Sequence, residues 1–158
     1  MQHETAESLP LRNFQQYMDW ISRLEKLNGV IDQYIALAME GIENQVMPPK
    51  VLMSRVLNQI KLQNVDSYIN SPFYDAFEVL PDEISNQEQE QIKEQAQITI
   101  TNVVIPSYIK LLNFFENSYY PNCRDTIGIS DIKNGSQYYE LIARQFTTTL
   151  LTPDEIHN

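Results

Sequence analysis

From Phe14 onward the apolar residues fall into helical register. Phe14, Tyr17, Met18, Ile21 and Leu24 share one face at three- and four-residue spacing, with charged and amide residues opposite. Asn28-Gly29 predicts the end of that helix. A second helix follows, with Ile31, Tyr34, Ile35, Ala38 and Ile42 in phase. It is expected to stop before Pro48-Pro49, because a residue preceding proline is steered away from the α region. The double proline can open a third helix with Val51, Leu52, Val56 and Ile60 on its buried stripe. Residues 10–63 thus read as helices, behind a solvated lead-in that Pro10 closes.

Residues 64–84 are less regular and read as a loop. Ser71-Pro72-Phe73-Tyr74, Phe77 and Leu80-Pro81 pin it with aromatics, which either pack for structure or line a cleft; their large area favours packing. A long helix is predicted over 85–118, opened by a capping box of Ser85 and Glu88. Its front, Asn86 to Gln97, is nearly all polar and suits a solvent-exposed helix end. Its rear carries Ile100, Val103, Val104, Tyr108, Ile109, Leu112 and Phe115. Pro106 predicts a kink or break, since it lacks a backbone donor and crowds the preceding turn. The β-branched density from Ile98 to Ile105 leaves a strand as the alternative.

Tyr119-Tyr120-Pro121 closes the long helix, and residues 119–149 read as a loop with Gly128 and Gly135 and then a short helix. That helix, Ser136 to Phe146, has Tyr139, Ile142, Ala143 and Phe146 in phase, and Thr147-Thr148-Thr149 reads as extended. Thr152-Pro153-Asp154-Glu155 has the form of a capped first helical turn, so residues 152–158 read as the start of a truncated helix. The expectation is one all-α segment over 1–158, part of a longer protein. It is an antiparallel multi-helix array with a long kinked helix, irregular loops and little or no sheet.

Composition narrows the function classes. The 158 residues suit one domain, 42% of them are hydrophobic, and the net charge is −10. Such a surface repels phosphate backbones and anionic lipids, which argues against nucleic acid and membrane-surface partners. No uninterrupted apolar run reaches bilayer length, so membrane insertion by this segment is not expected. The single cysteine, Cys123, forms no internal disulfide framework. It has only His3 and His157 as conceivable bases and reads as a packing residue. His3-Glu4 opens like a zinc-helix motif, but position 7 is Glu.

Phosphate-binding glycine loops and a nucleophile elbow are absent. Asp154-Glu155 suits a helix N-terminus better than acid–base work. His157 could act as ligand or base only with partners from outside the chain; an exposed or hydrogen-bonded histidine is the plainer reading. Tyr119, Tyr120, Arg124, Asp125, Thr126, Tyr138, Tyr139, Arg144 and the three threonines can hydrogen-bond an extended peptide or a carboxylate. They can equally satisfy the backbone of a long loop.

Three stretches carry a family resemblance: Tyr-Pro-Asn-Cys-Arg-Asp-Thr-Ile-Gly at 120–128, Asn-Gly-Ser-Gln-Tyr-Tyr at 134–139, and Arg-Gln-Phe-Thr-Thr-Thr-Leu-Leu-Thr-Pro-Asp-Glu-Ile-His at 144–157. Leu11 to Leu24, the Gly41 to Val56 stretch with its double proline, and Ser71-Pro72-Phe73-Tyr74 fit in order. The chain resembles the bacterial domain of unknown function 885 family. That resemblance implies a longer parent, often exported or lipid-anchored, similar to zinc metallopeptidases. Its zinc would sit on a later helix, so no catalytic, metal-binding or cofactor-binding residue is expected in this chain.

By the resemblance this segment forms a wall of a substrate cleft. Arg124, Tyr138, Tyr139, Thr147, Thr148, Thr149 and His157 are its candidate substrate-facing residues. The implied partners are the remainder of the parent chain and a peptide substrate, and apolar surface bared without that remainder favours self-association. The alternative is a self-standing helical interaction module without enzymatic activity.

Overall fold

A computed structural model describes residues 11–157; the lead-in and the His3-Glu4 reading lie outside the described residues. The fold is all-α, with no strand among the described residues. Helix α1 spans Phe14–Glu25, α2 Leu27–Glu43 and α3 Lys50–Lys61. A short α4, Asp75–Glu78, interrupts the aromatic loop. The long helix α5 runs Asn86–Asn122, followed by α6, Gly135–Thr147, and α7, Pro153–His157.

Helix α1 starts where Asn13 accepts the Gln16 N–H at 3.0 Å, one of the orphan donors of a helix start. It buries Tyr17, Ile21 and Leu24 of the expected face and also Trp20, with Phe14 and Met18 half-buried beside them. The boundary with α2 is not at Asn28-Gly29. The chain breaks at Lys26, whose N–H turns back to the Arg23 and Leu24 carbonyls, and Gly29 lies inside α2. Leu24 and Leu27 are both buried across that break. Burial of two large side chains outweighs the roughly 1 kcal/mol that a mid-helix glycine costs.

Only Leu27 and Ile31 of α2 are buried, while Tyr34 and Leu37 stand in solvent. Helix α3 follows Pro49 as expected, but its inner stripe differs. Ile60 is buried and Met53, Val56 and Leu57 pack beside it, leaving Val51 and Leu52 exposed. The in-phase positions nearest the proline turn face away from α5.

Residues 64–84 serve packing. Phe73, Phe77, Leu80 and Ile84 are buried, and Phe77 lies 5.9 Å from the Tyr17 ring and Phe73 5.7 Å from Tyr108. Those separations suit tilted aromatic pairs.

Helix α5 organises the whole. The Ser85–Glu88 capping box forms in both directions. The polar front is not a free end, because Ile92 and Ala96 are fully buried against α1. Two apolar residues four apart suffice to seat an otherwise polar turn; burying Ile92 alone is worth about 1.5–3 kcal/mol. Farther along, α5 packs on α2 and then α3.

The long helix is bent, as expected, but it does not break at Pro106. The helix widens over Ile100–Val104, where the Ile105 N–H reaches the Ile100 carbonyl, five residues back. A second wide turn, Phe115–Tyr119, precedes Pro121 in the same way, with the Tyr120 N–H on the Phe115 carbonyl. Each proline thus follows a π turn, which loosens the coil where the ring would crowd the preceding carbonyl. The helix therefore continues through Tyr119-Tyr120-Pro121 to Asn122.

One row of buried positions on α5 runs Ile92, Ala96, Ile100, Val104, Tyr108 and Leu112, a stride of four, with Thr99, Ser107 and Phe115 buried beside it. In a regular α-helix that stride would drift about 40° per step. The wide turn at Ile100–Val104 absorbs part of the drift and helps keep the row facing α1, α2 and α3. By length and composition α5 is also apolar enough to cross a membrane, although no uninterrupted apolar run betrays it.

Candidate functional site

The site region is everything after α5. Cys123 is buried, its thiol donates to the Tyr119 carbonyl at 3.4 Å, and burial pushes its pKa up, partly offset by the Lys50 cation. Such a thiol is a packing group rather than a nucleophile.

Arg124 then ties the loop to the body. Its Nε–H donates to the Met47 carbonyl at 3.0 Å, and Nη1 donates to the Thr126 carbonyl at 2.9 Å and the Gly128 carbonyl at 2.5 Å. The backbones also pair: Lys50 N–H donates to Arg124 O at 2.8 Å, and Arg124 N–H to Pro48 O at 3.2 Å. Lys50 reaches Asp125 at 3.0 Å. The planar fork of arginine suits this multiple capture of carbonyls.

A short turn, Ile129–Asp131, leads into Asn134, which takes the left-handed conformation at φ 61°. Gly135 is buried directly against that turn; a Cβ there would meet the Ile129 carbonyl oxygen at 1.8 Å. Only glycine lets α6 start so close to the loop. Helix α6 ends at Thr147, with Thr148 left-handed at φ 57°, so the three threonines are a helix end and a turn rather than an extended segment. Thr147 donates to the Ala143 carbonyl at 2.7 Å, and the Thr147 and Thr149 hydroxyls meet at 3.0 Å.

Thr152 then caps α7 with Glu155. The Thr152 N–H and hydroxyl donate to the Glu155 carboxylate at 2.7 and 2.8 Å, and the Glu155 N–H donates back at 3.3 Å. These bonds, the backbone one foremost, hold the Glu155 pKa below the usual glutamate range.

Between the 128–130 loop, α6 and α7 lies a concavity of about 590 Å³. Tyr139, Glu140 and Ser136 line it from α6, and Asp154 and His157 from α7. Of the sequence candidates, Tyr139 and His157 come together here. Arg124 lies behind the loop with its guanidinium committed to carbonyls, and Tyr138 and Thr147 to Thr149 are not in the lining. Ser136, Glu140, Thr152 and Asp154 complete the wall; the two glycines flanking the loop were the sequence signal for a close approach there. The lining mixes hydroxyls, two carboxylates, an imidazole and an aromatic face. Such a set can hydrogen-bond a peptide backbone and accept a cationic group. Among the described residues no three His, Cys, Asp or Glu side chains gather as metal ligands.

The arrangement defines a helical segment with a concavity of mixed polar and apolar lining beyond its long helix. The family described as "Bacterial protein of unknown function (DUF885)" matches residues 2–158, and the chain belongs to that family. Its fold is similar to that in "the crystal structure of the putative lipoprotein from Colwellia psychrerythraea", with a TM-score of 0.79 and 22% identity. The likeness covers 94% of this chain and 26% of that one, so the chain spans about a quarter of that protein's length. No curated protein matches.

Proposed function

We propose that this chain is a non-catalytic helical part of a longer bacterial protein resembling zinc metallopeptidases, and that it forms part of the wall of a peptide-binding cleft. The observation carrying this reading is the concavity where Tyr139 and His157 meet beside Glu140 and Asp154. The Tyr139 hydroxyl and Ser136 would hold peptide backbone, the Tyr139 ring would lie against a side chain, and the carboxylates would favour a cationic group. Zinc would be held by residues outside those described here, and would supply activated water for hydrolysis. The similarity to a protein described as a lipoprotein supports an exported or lipid-anchored parent.

The test uses the product of the complete natural reading frame. That frame is expected to encode a histidine-rich zinc helix, and its product to contain zinc and cleave peptides. Tyr139→Ala and His157→Ala are expected to raise KM several-fold with an unchanged melting temperature, since both side chains are exposed or nearly so. A product that neither binds nor cleaves peptides overturns the reading, as do variants with wild-type kinetics.

A second reading, a helical interaction module without enzymatic activity, is favoured by the bare apolar side chains of α6, with Phe146 83% exposed. Peptide cleavage by the full product rejects it.

A further inference from the structure

Helix α6 is built to be buried, yet in this structure it buries only Gly135. At about 100° per residue, Tyr138, Ile142, Phe146, Tyr139 and Ala143 follow one another around an apolar arc of roughly 140°, with Leu141 just beyond Gln145 at its edge. Ser136, Gln137, Glu140 and Arg144 occupy the remainder. An apolar stripe of that width belongs to a helix seated against a neighbour. Here Ile142 and Ala143 are half-buried, while Leu141, Phe146 and, just beyond the helix, Leu150 stand in solvent, Leu150 at 85% exposure. A helix of this length is marginal without tertiary packing.

We infer that the Tyr138–Leu141–Phe146–Leu150 face is a docking surface for a further amphipathic helix of the same polypeptide. Two observations select that occupant over a second copy. The matching fold in the Colwellia protein accounts for only 26% of that chain, so there it is one part of a polypeptide about four times as long. Two copies of this chain would each bring a net charge of −10 to the contact, and that repulsion opposes pairing. The polar arc of Ser136, Glu140 and Arg144 remains for solvent and for the concavity. The docking surface does not rest on the peptidase reading and survives its failure.

The test is hydrogen exchange on the product of the complete natural reading frame, wild type against Leu141→Glu and Phe146→Ser. Neither residue lines the concavity. In the wild type the α6 amides are expected to be protected to the level of α5. In the variants, exchange over 138–151 is expected to accelerate about 100-fold while α1 to α5 stay unchanged, as for local opening of one unit. Fast exchange of α6 in the wild-type product overturns the inference, including the case where the reading frame adds no further chain. Variants with wild-type protection overturn it too. Protection that disappears on dilution assigns the face to a second copy and overturns it equally.

Discussion

The Arg124 Nε–H donates to the Met47 carbonyl at 3.0 Å, joining the loop after the long helix to the turn before α3, 77 positions away in sequence. The guanidinium is largely covered, with 19% of the side chain exposed. Replacing Arg124 by Ala leaves the Met47 and Gly128 carbonyls short of a donor. The expected cost is about 1–3 kcal/mol. Lysine should recover little, because one ammonium cannot match the fork. Urea unfolding of Arg124→Ala and Arg124→Lys checks this, and wild-type stability in the alanine variant contradicts it.

The front of α5 is anchored through Ile92. Its truncation to Ala should destabilise by about 2–5 kcal/mol, whereas Gln91→Ala on the exposed side should stay within about 0.5 kcal/mol. Equal midpoints for the two variants would show that this turn is frayed in solution.

Gly135 holds α6 against the 129–131 turn. A methyl group there has no room before the Ile129 carbonyl, so Gly135→Ala must push the helix off the loop. The expected cost is about 1–3 kcal/mol. Chemical-shift changes should concentrate at 128–140 and spare α1. Changes spread over the whole chain, or none, would count against this account.

The α7 capping box sets a local pH dependence. The Glu155 pKa is lowered in the folded turn, so its contribution is present above the ordinary glutamate pKa and is lost as pH falls through the depressed value. Thr152→Val removes the hydroxyl donor and should return part of the shift upward. Titration of the Glu155 side chain by NMR reads this directly; an identical titration in the variant would show that the hydroxyl does not hold the carboxylate.

Features set by neighbouring residues were legible in the sequence. Ser85 with Glu88, Thr152 with Glu155, and the stripe Tyr17–Ile21–Leu24 need only local chemistry, and each takes the form its spacing predicts. Features set by distant partners were not. Nothing near Lys26 announces a helix boundary; the break follows from seating Leu24 and Leu27 in one core. Pro106 marked a disturbance, but its resolution as a wide turn depends on α5 staying in line with the helices it packs on. At the concavity, Tyr139 and His157 could be singled out by type. Arg124 looked equally available until its backbone partners, remote in sequence, were visible.

The two wide turns of α5 make its length as consequential as its composition. A deletion within Ile100–Val104 would only close that wide turn to a regular one. Deleting one residue from the regular stretch Ile105–Phe114, Ile109 for example, would instead leave every downstream side chain chemically intact yet rotate it by about 100°. Leu112 and Phe115 would swing off α3, and the loop and concavity hung from the far end would turn with them. The helix behaves like a cut key, with teeth that are ordinary and a spacing that fits one lock. Within the family, single-residue gaps across 105–114 should therefore be far rarer than substitutions there, and rarer than gaps in the two wide turns.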